Sequence, residues 1–208
     1  FFWRDGWWCS SGVEQADANR VSLLRIDTDR AAAQYRDERI LQPVGSGDGT
    51  NGWMPVVDGG DLRFVARCDP TRILDDRGGV VSETSPARSA EQYRGATPAI
   101  AFESGWLAMV REPSGASPRD VQHRLVWFDR SLALWQISRP FFFDEKGPER
   151  AAGLCRHPNG RDMLVTYVDK ERAIWLASVT ADDIRGFLDR SAQLPFEADG
   201  AGQGELKA

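Results

Sequence analysis

Gly105–Arg111 (GWLAMVR), His123–Asp129 (HRLVWFD) and Leu132–Ser138 (LALWQIS) make one run of short segments. Gly153–His157 (GLCRH), Met163–Val168 (MLVTYV) and Ala173–Val179 (AIWLASV) make a second, similar run. Each segment is apolar or alternates apolar with polar residues, and each ends in a polar or Gly-containing turn. Alternation with a period of two buries one face of a strand. Several short strands with turns between them are the pattern of an all-β sandwich, barrel or propeller. A repeat near the ~40–45 residues of a blade selects the propeller.

The same pattern extends toward the N-terminus. Phe1–Ser11 (FFWRDGWWCSS) predicts an aromatic hairpin turning at Asp5-Gly6, and Val21–Asp27 a third strand, followed at Asp29–Gln34 by a turn or short helical turn. Gly52–Val57 and Asp61–Cys68 pair through Asp58-Gly59-Gly60, and Arg72–Leu74 and Val80–Thr84 are extended. Arg94-Gly95 opens a loop that feeds Ala99–Phe102, and Ser114–Asp120 is a flexible excursion. Gln42–Asn51 (QPVGSGDGTN) is Gly-rich but lacks the Lys-Ser/Thr of a phosphate loop. Thr180 caps a C-terminal helix over Ala181–Leu188, with Asp182 and Asp183 in its first turn and Ile184, Phe187 and Leu188 as its apolar residues. The expected fold is all-β: a five-bladed β-propeller, about four of whose blades lie in this chain, with that short helix. The chain opens inside an aromatic strand pair, which predicts further sequence before Phe1 and the fifth blade there. Residues 1–190 are expected to form the propeller domain and 191–208 a flexible tail.

Of 208 residues, 41% are hydrophobic and 27% charged, with a net charge of −5, which gives a nucleic-acid partner no electrostatic support. No apolar run approaches the ~20 residues of a membrane span. Cys9, Cys68 and Cys155 are odd in number and form no CxxC pair, so neither a zinc site nor a disulfide framework is expected, and a reducing cytoplasm fits best. The two histidines, His123 and His157, are too few for a multi-His metal centre. No GxSxG is present, and no cysteine has a neighbouring His. Among eight tryptophans, Trp3, Trp7, Trp8, Trp127, Trp135 and Trp175 are expected to pack between blades, whereas Trp53 is a candidate for stacking on a sugar ring.

An ordered set of short motifs carries a resemblance: Trp53-Met54-Pro55, Asp69-Pro70-Thr71, Arg94-Gly95, His123-Arg124 and Gly147–Leu154 (GPERAAGL). In this order they resemble five-bladed propeller proteins related to glycoside hydrolase family 130, the mannoside phosphorylases and hydrolases. Many of those bacterial proteins are linked to glycosyltransferases. Thr50-Asn51-Gly52 stand where relatives often read Glu-Lys-Asn, and the family's acidic Glu-Asp-Pro-Arg type motif would fall before Phe1. The resemblance implies a glycan or sugar phosphate bound in the axial pocket. If the domain is active, it implies cleavage of a glycosidic bond by hydrolysis or phosphorolysis. Asp69 and Glu149 would then be the carboxylates, since glycosidases work with a pair ~5–5.5 Å apart for retention or ~6.5–9.5 Å apart for inversion. Arg94, His123 and Arg124 would hold phosphate or an anionic sugar, with Gly95 giving close backbone access and Trp53 and Tyr167 offering aromatic faces. Strand alternation allows only one of His123 and Arg124 to face the axis. No cofactor or metal is expected beyond inorganic phosphate as co-substrate. The alternative is a non-catalytic glycan-binding or scaffolding propeller that accompanies a glycosyltransferase.

Overall fold

A computed structural model describes residues 1–15, 18–28, 34–41, 52–114 and 120–192. The expectations for Gln42–Asn51, for most of Ser114–Asp120 and of Asp29–Gln34, and for the tail beyond residue 192 lie outside the described residues. The chain divides into two compact units, Phe1–Gly95 and Ala96–Ala208.

In the first unit, β1 (Phe2–Trp3), β2 (Gly6–Gln15), β3 (Ala18–Asp27) and β4 (Gln34–Leu41) form one antiparallel meander. A second follows, from β5 (Met54–Asp58), β6 (Asp61–Cys68), β7 (Thr71–Asp75) and β8 (Val80–Thr84), and β9 (Arg94–Gly95) ends the unit. In the second unit, β10 (Ile100–Phe102), β11 (Gly105–Pro113), β12 (Val121–Phe128) and β13 (Leu134–Ile137) form the third meander. The fourth comprises β14 (Arg150–Arg156), β15 (Met163–Val168) and β16 (Ile174–Val179), and α1 (Ala181–Ala192) follows it. The fold is therefore all-β, with four consecutive blades of β-propeller type among the described residues and one C-terminal helix.

Each unit has its own core. In the first, Trp3, Trp8, Leu23, Phe64 and Leu74 cluster between the sheets, with the Trp3 Nε1–H donating to the Gly60 carbonyl at 2.9 Å. In the second, Leu107, Met109 and Leu125 from one blade meet Leu154, Met163 and Val165 from the next, and Ile184, Phe187 and Leu188 of α1 join them. Thr180 caps this helix: its Oγ1 accepts the Asp183 N–H at 3.1 Å and donates to the Asp183 carboxylate at 2.7 Å.

The structure departs from expectation in the first hairpin, in β4 and at three of the tryptophans. The first hairpin turns at Arg4-Asp5, whose φ angles of 46° and 57° suit a type I′ turn, so Gly6 already pairs with Trp3. A Cβ at Gly6 would lie 2.7 Å from Arg25 Nε, a contact that the arginine side chain can relieve by moving. The strand β4 has no counterpart in the sequence reading: its charge-rich sequence QYRDERIL hides alternation, and only the pairing with β3 defines it. Trp7, Trp135 and Trp175 do not pack between blades; they are 50%, 71% and 52% exposed. In each of the first two, the adjacent residue on the strand (Trp8 and Leu134) takes the inward position instead.

One turn recurs before the last strand of three blades, led by Asp75, Asp129 and Asp169. Each Asp N–H donates to the carbonyl four residues on, at Gly79 (2.9 Å), Ala133 (3.0 Å) and Ala173 (3.1 Å). Each Asp Oδ1 accepts two backbone N–H groups: Arg77 and Gly79, Ser131 and Ala133, Glu171 and Ala173, all at 2.8–3.0 Å. The residue three after the Asp has positive φ in every case: Gly78 (87°), Leu132 (67°) and Arg172 (67°).

A second tight constraint lies in the first unit. Gly52 has φ +105°, and a Cβ on Gly95 would sit 2.1 Å from the Gly52 carbonyl oxygen and 2.4 Å from Met54 Cγ. Overpacking of a fixed backbone contact costs about 1–3 kcal/mol, so Gly95→Ala is expected to reach the upper end of that range in urea unfolding. Gly186, in the middle of α1, is the opposite case, since a methyl group there would meet nothing within 4 Å. Gly186→Ala should stabilise by up to about 1 kcal/mol.

Candidate functional site

The candidate residues fall into two groups, one in each unit. In the first unit, Asp69 follows the end of β6 and precedes a cis peptide bond to Pro70. It is half-buried, and its Oδ2 accepts the Ala90 N–H at 2.9 Å, tying two distant loops together. Thr71, by contrast, donates its hydroxyl to the Cys68 carbonyl at 2.7 Å, so the Asp69 side chain is not what holds the turn that follows it. Burial pushes the neighbouring Cys68 thiol up to about 12, with Arg94 acting to lower it and Asp69 to raise it. The Arg94 guanidinium is exposed and donates to the carbonyls of Glu91 (2.6 Å) and Tyr93 (3.1 Å). Trp53 is only 6% exposed: its ring lies 5.5 Å from Phe64 in the core, and its Nε1–H has no hydrogen-bond partner among the described residues. Little of that ring is open to a sugar.

In the second unit, Glu149 is the surprise. It is 2% exposed, and its carboxylate accepts three backbone N–H groups: Phe143 (2.8 Å) on Oε2, Asp144 (3.0 Å) and Glu145 (3.3 Å) on Oε1. A carboxylate so used clamps the 143–145 loop. Phe143, held by this clamp, stacks on Tyr167 with ring centroids 4.2 Å apart and planes 6° from parallel. Tyr167 is buried, and burial first, then the charges of Glu149, Asp144 and Asp169, push its hydroxyl above the ordinary value.

His123 and Arg124 take opposite faces of β12, as alternation requires. His123 has no exposure, and its ring lies 5.0 Å from Phe143 and 6.0 Å from Phe141. Its Nε2 accepts the Ala151 N–H at 3.1 Å, which joins β12 to β14. The neutral ring must then carry its proton on Nδ1, which has no acceptor among the described residues. Burial, reinforced by the Arg111 charge opposite it in the ladder, lowers this imidazole to about 4. Arg124 pairs with Glu112 at 2.6 Å, the diagonal cross-strand position, and donates to the Ser138 carbonyl at 2.9 Å.

A third constellation escaped the sequence reading. Trp175 stands opposite Tyr167 in the β15–β16 ladder, and its Nε1–H donates to Asp169 Oδ2 at 2.8 Å. That bond, ahead of the backbone N–H groups of Ala173 and Glu171 and the Lys170 charge, holds the Asp169 carboxyl below its usual range. Lys170 pairs with Glu145, on the loop that Glu149 clamps. The available signal was a repeat: Asp129-Arg130-Ser131-Leu132-Ala133-Leu134-Trp135 returns as Asp169-Lys170-Glu171-Arg172-Ala173-Ile174-Trp175. Among the described residues, no group of three His, Cys, Asp or Glu side chains is arranged to hold a metal, and no helix is long and apolar enough to cross a membrane.

The fold defines a protein of β-propeller class. Beyond that class the chain matches no protein-family model and no curated protein.

The His123 contact sets a pH dependence. Between about 6.5 and 4 the unfolded chain takes up the imidazole proton while the folded one does not, so stability falls with pH through that window and the loss is complete below it. The fall owed to this ring is on the order of 3 kcal/mol. His123→Gln should flatten the difference between urea midpoints at pH 7 and pH 4; an unchanged difference would show that His123 does not carry it.

Proposed function

We propose that this chain is a glycan-binding propeller of the type related to glycoside hydrolase family 130, and that it binds its carbohydrate without cleaving it. One observation carries the non-catalytic half of this reading. The Glu149 carboxylate, at 2% exposure, has both oxygens committed to three backbone N–H groups. An acid–base or nucleophilic carboxylate needs a lone pair and a path to substrate. The proposed cations of the second unit are engaged in the same way: His123 is buried and uncharged near neutral pH, and Arg124 is bonded to Glu112 and Ser138. The motif order from Trp53-Met54-Pro55 to Gly147–Leu154 supports the carbohydrate half, as do exposed indoles on blade edges. If Asp69 still serves a reaction, it does so without Glu149 as its partner.

Calorimetric titration with mannotetraose, cellotetraose and mannose 1-phosphate tests binding, and chromatography of the same mixtures with and without inorganic phosphate tests turnover. Saturable heat with no released sugar is expected. Release that depends on Asp69, lost in Asp69→Asn, would replace this reading with the enzyme. Glu149→Gln should cost about 2 kcal/mol in unfolding experiments, the worth of hydrogen bonds to a charged group.

A further inference from the structure

We propose that Trp175 is the sugar-stacking residue of this protein, with the Lys170–Glu145 pair beside it bonding sugar hydroxyls. This rests on the glycan-binding reading and gives it a location. The indole is half-exposed at the start of β16, on the same strand face as the buried Ala177 and Val179 and opposite Tyr167 in the ladder. About half of its surface is thus open to solvent. Its orientation is fixed: Nε1–H donates to Asp169 Oδ2 at 2.8 Å, while Oδ1 of the same carboxylate is captured by the N–H groups of Glu171 (2.8 Å) and Ala173 (2.9 Å). A ring held before binding loses little freedom when a ligand stacks on it.

The neighbours decide the class of ligand. Lys170 follows Asp169 in the chain and pairs with Glu145, whose backbone N–H is held by the buried Glu149. An exposed indole held by Asp169, with the ion-paired Lys170 next to Asp169 in the chain, matches a pyranose, which offers a C–H face and a rim of hydroxyls. An apolar peptide would need further apolar surface on that side, but Ile174 and Leu176, though 79% and 64% exposed, alternate to the other face of β16.

The preceding blade supplies an internal control. Trp135 holds the same place in the sequence repeat, but a bulge in the β12–β13 pairing turns Leu134 inward and leaves Trp135 71% exposed. There, however, the Asp129 Oδ1 takes the Ser131 hydroxyl at 2.7 Å, and no hydrogen bond fixes the indole among the described residues. Trp135 is an exposed ring without the fixing bond; Trp175 is exposed and held.

Titration of the uniformly 15N-labelled chain with mannotetraose and cellotetraose reads the indole N–H signals one by one, each assigned by its Trp→Ala variant. The Trp175 signal is expected to shift saturably and the Trp135 signal to stay in place. Trp175→Ala should weaken binding about tenfold or more, as loss of an aromatic platform does. Trp175→Phe keeps a ring but loses the bond to Asp169, so its affinity should fall between those of the wild type and Trp175→Ala, and Trp135→Ala should retain all of it. Wild-type binding that survives Trp175→Ala overturns the assignment of Trp175 and leaves the glycan reading standing. No binding of either oligosaccharide by the wild-type chain overturns both.

Discussion

A side-chain carboxylate accepting backbone N–H groups is the interaction on which this structure most depends. The last strand of a blade has one neighbour only, so pairing alone fixes its register weakly. In three blades an Asp at the head of the final hairpin supplies what the missing neighbour cannot. Asp75, Asp129 and Asp169 each bind the N–H groups two and four residues ahead, and each turn places its third following residue at positive φ. Two of those positions are Leu132 and Arg172 rather than Gly. A non-Gly residue there is held at a cost of roughly 1–2 kcal/mol, so the carboxylate bonds must outweigh it. Glu149 applies the same chemistry deeper in the fold, where it closes the 143–145 loop.

The blades within each unit are then joined by a mainly apolar core crossed by few polar contacts. In the second unit His123 is the main one: its backbone exchanges hydrogen bonds with Phe141, both at 2.9 Å, and its Nε2 reaches Ala151 on the next blade. A buried imidazole in this position works only as the neutral ring, because its acceptor lone pair is what binds Ala151. The same side chain that looked like an anion ligand in the sequence is therefore a neutral bridge. The arrangement leaves one donor, Nδ1–H, without an acceptor among the described residues, which is the kind of group that an unpaired burial penalty attaches to.

Much of the fold was legible because β-strand alternation is a local signal. Asp61–Cys68 and Met163–Val168 match their strands residue for residue, and the Thr180 cap starts the helix where the hydroxyl and Asp183 said it would. The helix runs past Leu188 to Ala192, since nothing after the predicted end breaks it. Charge-rich β4 was not legible, because its pairing is decided by β3 and not by its own pattern. Nor were the exposed indoles. Composition makes Trp a core residue on average, but only the neighbour on the strand decides which of two adjacent apolar residues turns inward, as with Trp7 and Trp8 or Leu134 and Trp135.

The candidate site was harder to read for a deeper reason. A carboxylate poised for chemistry and a carboxylate that satisfies a loop have the same sequence appearance: an acid at a strand end, beside Gly, Pro or small residues. The two differ in what their lone pairs meet. Glu149 meets three N–H groups of its own loop, and Asp69 meets one from Ala90, so a substrate would have to compete with the backbone for Glu149 but not for all of Asp69. Asp169 shows a third outcome, in which one oxygen holds the turn and the other holds an aromatic ring that remains open to solvent. A residue that stabilises a turn and at the same time orients an exposed ring would, on the proposed reading, serve folding and recognition through one set of bonds. For that reason the weight of the functional reading shifts from the acids that resemble catalysts to the indole that an ordinary turn holds in place.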